Sequence, residues 1–344
     1  MNSGKRLAGK ENEIMKINPK QSGGKSGFTL VELLTVLAII ALLIGLLVPA
    51  LSTTRRYAKD VKQKAQFHSI EVALDTFHGV YGDYPPSNET TNTGVKTCGS
   101  QKLTEALLGL DMRGYDPYSN FDLVATEADP LIYALDGVLG ATAQDEEDSL
   151  NRRKGPFLKT GENVDAYNLY SLFDVANGGN VLNLYQGGDP QQKVFGPVIC
   201  DTYRVKNIQI PDPLNPTTDE ITVKVGTPIL YYRANKSSKK FDRLQAAADE
   251  DNIYNWKDNG ELVDIGLITK LPADRTNADH HFGTGYSNLP AQTNGMEVFY
   301  DRIINPKVVV PWPHNADSYI LISAGYDGIY GTDDDITNYS GIGD

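Results

Sequence analysis

The chain has 344 residues, 40% of them hydrophobic, enough for one large domain or two smaller ones with a real core, which excludes a wholly disordered chain. Its formal charge of −12 is unevenly spread, because residues 1–27 hold Lys5, Arg6, Lys10, Lys16, Lys20 and Lys25 against only Glu11 and Glu13. The rest is therefore more acidic than the total, which argues against nucleic acid as a partner and makes divalent cations natural ones.

From Phe28 to Leu51 the sequence is apolar, and its only ionisable side chain is Glu32. About twenty such residues in a helix cross the hydrocarbon core of a bilayer. The basic stretch before it stays in the cytoplasm by the positive-inside tendency, which sends the C-terminal body across. A secretory signal peptide is one reading, with Val48, Pro49 and Ala50 as a small-residue cleavage site and Leu51 as the new start. The apolar run exceeds the roughly 7–15 residues of a signal-peptide core, however, and places an acid in its first turns. A plain single-pass anchor leaves that acid equally unexplained.

The segment Lys25-Ser26-Gly27-Phe28-Thr29-Leu30-Val31-Glu32-Leu33-Leu34 closely resembles the cleavage and methylation motif of type IV prepilins and type II secretion pseudopilins. The resemblance implies that a prepilin peptidase cuts between Gly27 and Phe28 and methylates the new amine. A carboxylate inside an apolar helix costs roughly 2.5–3.5 kcal/mol unless it finds a partner. The Phe28 amine of a neighbouring subunit is the expected partner of Glu32, holding the two copies in register in a filament. Pro49 also stands where these proteins often carry proline, and the loss of one helical hydrogen bond there is expected to bend or locally melt the helix.

Downstream, Ala58, Val61 and Ala65, then Ile70, Ala73, Leu74 and Phe77, recur at helical spacing. One helix is predicted from about Phe28 to Phe77, roughly 75 Å long if continuous. Residues 28–51 form its transmembrane or filament-core half, and 52–79 an amphipathic half that lies on a globular domain spanning 80–344. Gly79 to Pro86 end it with paired glycines and prolines. Ile70 to Pro86 also resembles the helix end and Tyr-Pro turn of major pseudopilins, and Leu103–Leu108 reads as a short following helix.

Between about Gly109 and Val225 the pattern is irregular, with 211–220 read as loop, and the stretch is expected to be a large insertion into a smaller core. A strand is predicted after Pro228, within Gly226–Arg233, and a second over Ser318–Ser323. The fold class expected is α+β: a long N-terminal helix on a small antiparallel sheet.

The last motif, Ser323 to Ile336, crowds four aspartates and three glycines after a strand. Oxygen-only ligands in a tight loop suit a hard cation, although the spacing is not that of an EF-hand. The motif resembles the calcium loop, here 321–336, at the C-terminus of major pseudopilins. The resemblance implies calcium as a structural cofactor held by the side chains of Asp327 and Asp335, with Ser323 and Leu321 as hydroxyl or carbonyl donors and Asp333 as a further candidate. A solvated acidic turn is the alternative.

No zinc-protease or serine-hydrolase motif occurs, and the pair His280-His281 reads as ordinary loop, so no enzyme activity is expected. The two cysteines, Cys98 and Cys200, leave a single bridge and two buried free thiols equally open. Gly24-Lys25-Ser26 only superficially matches the end of a phosphate-binding loop. The resemblance as a whole implies an inner-membrane protein with a periplasmic domain, which self-assembles with other pseudopilins on an inner-membrane secretion platform. A surface pilin or minor pseudopilin that binds cargo, partner subunits or a surface ligand is the alternative.

Overall fold

A computed structural model describes residues 27–88, 96–121, 142–161, 164–173, 196–212, 215–244, 251–288 and 293–340. The basic stretch before Gly27, including the Gly24-Lys25-Ser26 match, and large parts of the expected insertion lie outside them. The chain divides into two compact units at Thr53/Thr54.

Helix α1 runs from Leu30 to Tyr81 and belongs to both units. It contains the one described stretch long and apolar enough to cross a membrane, and none of that stretch is buried. The helix passes through Pro49 without interruption, so the expected local melting does not occur. The Ser52 hydroxyl donates to the Pro49 carbonyl at 2.7 Å and the Thr53 hydroxyl to the same oxygen at 3.1 Å.

In the second unit the buried face of α1 is Gln63, Gln66, Phe67, Ile70, Ala73, Leu74 and Phe77. The later apolar set is thus buried as expected, but Ala58, Val61 and Ala65 are exposed. Two glutamines replace them because they face main chain rather than side chains. Gln66 Nε2 donates to the Cys200 carbonyl at 2.9 Å, and the Thr202 amide donates to Gln63 Oε1 at 2.8 Å. Buried backbone groups require such partners.

Helices α2 (Gly99–Leu108) and α3 (Ala143–Arg152) precede the strand pair β1 (Asp165–Asn168) and β2 (Pro197–Cys200), which flanks the short α4 (Leu169–Leu172). Strands β3 (Lys206–Asp212) and β4 (Asn215–Val225) form an antiparallel hairpin that pairs Pro211 with Glu220. Residues 211–220, read as loop, are therefore largely strand; the β-branched run Ile221-Thr222-Val223, with Val225, outweighs the prolines before it.

The central sheet is antiparallel, in the order β5 (Leu230–Arg233), β8 (Tyr319–Ser323), β9 (Ile336–Thr337). Strands β5 and β8 fall where the sequence places them; β9, at the end of the acidic motif, is not among the predicted strands. Side chains alternate between two cores, as the twofold strand period requires. Ile229, Tyr231, Tyr319 and Leu321 meet α1 and α2, whereas Leu230, Tyr232, Ile320 and Ile322 meet the helix α6 (Gly295–Ile303). The remaining described elements are the 3-10 turns Trp256–Asn259 and Pro272–Asp274, α5 (Gly260–Asp264) and the two-residue strands β6 (Ser287–Asn288) and β7 (Thr293–Asn294).

Cys98 and Cys200 are both buried free thiols. Burial pushes the Cys98 thiol up to about 12 and that of Cys200 well above its ordinary value, which suits packing rather than reactivity. The architecture is a mixed α and β fold: a long N-terminal helix with small antiparallel sheets.

Candidate functional site

At the N-terminal motif, Gly27 and Phe28 are exposed, and no atom lies within 4 Å of where a Gly27 Cβ would stand. The peptide bond between them is thus sterically open. Glu32 is engaged within its own chain. The Thr29 amide donates to Glu32 Oε2 at 3.0 Å and its hydroxyl to the same oxygen at 2.8 Å, while the Glu32 amide donates to Thr29 Oγ1 at 3.2 Å. This is a capping box, in which threonine and the acid three residues on satisfy the free amides of the first turn. Thr29-x-x-Glu32 carries its signature in the sequence, although the apolar context draws attention to the acid alone. Glu32 Oε1 has no partner among the described residues.

The acidic loop after β8 is built by its own amides. Asp334 Oδ2 accepts from the amides of Tyr326 at 2.7 Å and Asp327 at 3.1 Å, and Asp335 Oδ2 from the amide of Gly331 at 2.7 Å. Burial, followed by the nearby Asp334 carboxylate, raises the Asp327 pKa. Burial also works against ionised Asp334, but the Thr332 hydroxyl and the two amides outweigh it and hold this group below the usual range. Asp335 is pushed well above its ordinary value by burial, which the Gly331 amide and Arg302 only partly offset. Its Oδ1 is shut off from solvent and makes no hydrogen bond.

Of the residues singled out in the sequence, Asp327, Asp335 and Ser323 belong to this loop and its root, and Leu321 accepts from the Asn338 amide at 3.3 Å through its carbonyl. Asp333 does not join them. Its side chain is 98% exposed and pairs with Arg302 at 2.8 Å. Among the described residues, no three His, Cys, Asp or Glu side chains converge as a ready metal cluster. Any cation here would draw on carbonyl and hydroxyl oxygens as well.

Three features of the loop are not legible in the motif. Asp201, just after β2, is buried beneath it; the Ser323 hydroxyl donates to Asp201 Oδ2 at 3.1 Å, and burial raises this carboxyl to about 7. Its Oδ1 accepts from the amides of Tyr203 and Thr227 at 3.1 and 3.2 Å. Helix α1 supplies cations: Arg56 lies 3.6 Å from Asp334, and Lys59 Nζ donates to the Tyr203 carbonyl at 3.1 Å and sits over the Tyr326 ring. The histidine pair, read as ordinary loop, clamps the motif. The Tyr330 amide donates to His280 Nδ1 at 3.2 Å, and the His281 amide donates to the Tyr330 carbonyl at 2.9 Å.

Comparison with known proteins bears on the N-terminal segment. Residues 23–48 match the family described as the prokaryotic N-terminal methylation motif. The chain therefore carries a type IV pilin-like prepilin motif at the head of its apolar helix. Motifs of this kind are processed by prepilin peptidase and belong to subunits that assemble into filaments. No curated protein and no solved structure matches the chain.

Proposed function

We propose that this chain is a structural subunit of a type II secretion pseudopilus, cleaved after Gly27, N-methylated on Phe28 and assembled through the apolar half of α1 to help move proteins across the outer membrane. The observation that carries this reading is the methylation motif at 23–48, which takes in most of an apolar run with no buried side chain. Such a surface is stable only in lipid or against other helices. Glu32 Oε1, left over by the capping box, is the acceptor for the Phe28 amine of an adjoining copy. Before assembly the chain spans the inner membrane once, with its acidic domain in the periplasm. Its partners are then prepilin peptidase, other pseudopilins and the inner-membrane platform.

Calcium is the cofactor in this reading, held by Asp327, Asp335 and oxygens of the loop root at Ser323 and Leu321. The buried, unpaired Asp335 Oδ1 and the crowding of Asp327 against Asp334 support it, since a cation would relieve both. Asp333 is set aside as a ligand. When bound, the ion supplies stability to the end of the sheet and takes no part in catalysis.

Intact-mass analysis of the protein from its native host tests the processing step. A chain beginning at N-methylated Phe28 is the expected result. A start at Leu51 would make the apolar run a signal peptide, and an uncut leader would make it an anchor. A major pseudopilin should also polymerise when overproduced, whereas a tip subunit or cargo-binding pilin should not.

A further inference from the structure

One helical turn past the apolar run, α1 becomes basic. Residues 52–64 hold Arg55, Arg56, Lys59, Lys62 and Lys64 against a single acid, Asp60, in a chain whose net charge is −12. Asp60 is turned to the domain, where its Oδ1 accepts from the Tyr203 hydroxyl at 2.5 Å. Three of the cations have contacts there too: Arg56 with Asp334, Lys59 with the Tyr203 carbonyl, and Lys64 with the Ser340 carbonyl at 3.5 Å. Arg55 and Lys62 have no hydrogen-bond or ion-pair partner among the described residues. They stand seven residues apart, which places them on one face of the helix two turns from each other.

An unpaired cation on a helix is ordinarily just solvated; the position of these along the chain singles out a ligand. Arg55 follows Leu51 by four residues, about 6 Å of helix rise, and the polar layer of a bilayer extends roughly 5–7 Å beyond the hydrocarbon on each side. With the apolar run in lipid, Arg55 and Arg56 therefore stand among the headgroups. Lys62, about 16 Å along, comes within their field through its long stem and a screening length of about 8 Å. Tyr57 is 56% exposed at the level of the arginines, and tyrosine gathers at membrane interfaces. The cluster is not needed to orient the chain, because the basic stretch before Gly27 does that. Cations beside a span attract anionic lipid, and a guanidinium matches a phosphate in shape as well as charge. Soluble phosphates and nucleic acid would instead have to approach an acidic domain.

We infer that Arg55, Arg56 and Lys62 form a headgroup site at the end of the apolar run that selects anionic phospholipid by its phosphate. The inference rests on the reading that this run spans a bilayer. Electron spin resonance on the full chain in phosphatidylcholine vesicles, with spin-labelled phosphatidylglycerol and phosphatidylcholine as probes, separates the two. Lipid immobilised at the protein reports the span, and the ratio between the probes reports the site. Phosphatidylglycerol is expected to be preferred by about twofold or more at low salt, and Arg55→Gln with Lys62→Gln to remove at least about half of that preference. Both side chains are unpaired, so this double variant keeps the fold. Lys239→Gln with Lys307→Gln takes the same charge from exposed positions of the domain and should leave the ratio unchanged. The basic stretch before Gly27 is present in every chain compared and so cancels. A ratio unmoved by the Arg55 and Lys62 pair, or lowered equally by the control pair, would overturn the site. So would a preference abolished by inorganic phosphate but not by chloride of equal ionic strength, which would make free phosphate the ligand. Immobilised lipid without preference refutes the site alone, whereas no immobilised lipid removes the span and the site together.

Discussion

Asp201 and His280 sit under the same loop and titrate in opposite senses. Burial lowers His280 to about 4 from its ordinary 6.5, so the folded chain binds fewer protons than the unfolded one between those values. Stability from neutral His280 is therefore complete above pH 6.5 and is lost as pH falls through about 4. Melting curves should show a falling Tm across that window, flattened in His280→Gln. Asp201 is raised from 3.8 to about 7, so its contribution is complete below pH 3.8 and lost as pH rises through about 7. In chelator at pH 8, Asp201→Asn should melt above the parent chain, because it keeps the acceptor and drops a buried charge; a lower Tm would refute this. Of these residues the sequence signals neither: a lone aspartate after a strand and a histidine pair in a glycine-rich loop take their meaning from what the chain brings against them. Gly27, Phe28 and Glu32 are legible because their spacing alone carries the chemistry.

The long helix α1 shows how far periodicity reaches. Ile70, Ala73, Leu74 and Phe77 follow the helical period and are buried, since side chains from α2 and the sheet lie opposite. One turn earlier the same rule picks Ala58, Val61 and Ala65, but the partner there is the main chain around Cys200–Thr202, which selects Gln63 and Gln66. Leu74→Ala should therefore cost about 3 kcal/mol in chemical denaturation. Val61→Ala, at 42% exposure, should fall within roughly 0.5 kcal/mol of the parent. Equal effects would contradict the assignment of faces. At the start of α2, a Cβ on Gly99 would stand 2.0 Å from the Tyr231 carbonyl oxygen, so this helix and β5 approach as only glycine allows. Gly99→Ala is expected to lose about 2 kcal/mol, measured the same way.

At the scale of the molecule, the second unit gathers α1, the β2 end and the C-terminal loop around one acidic cluster, so anything that binds the loop should be felt by the whole domain. Excess chelator is expected to lower the Tm of the full chain by several degrees, with Asp335→Asn abolishing the effect and Asp333→Asn leaving it intact. A melt insensitive to chelator would remove calcium and leave Arg56, Lys59 and Arg302 as the loop's counter-charges among the described residues. The sequence by itself determined the motif at Gly27–Glu32, the apolar run, the helix after it, strands β5 and β8 of the central sheet and the acid-rich loop. All of these are set by neighbours a few residues apart. Only the tertiary structure decided that Asp201 lies beneath Ser323, that His280 and His281 clamp Tyr330, and that Asp333 turns outward. Those relations join residues distant along the chain, and packing, which no local pattern records, selects them.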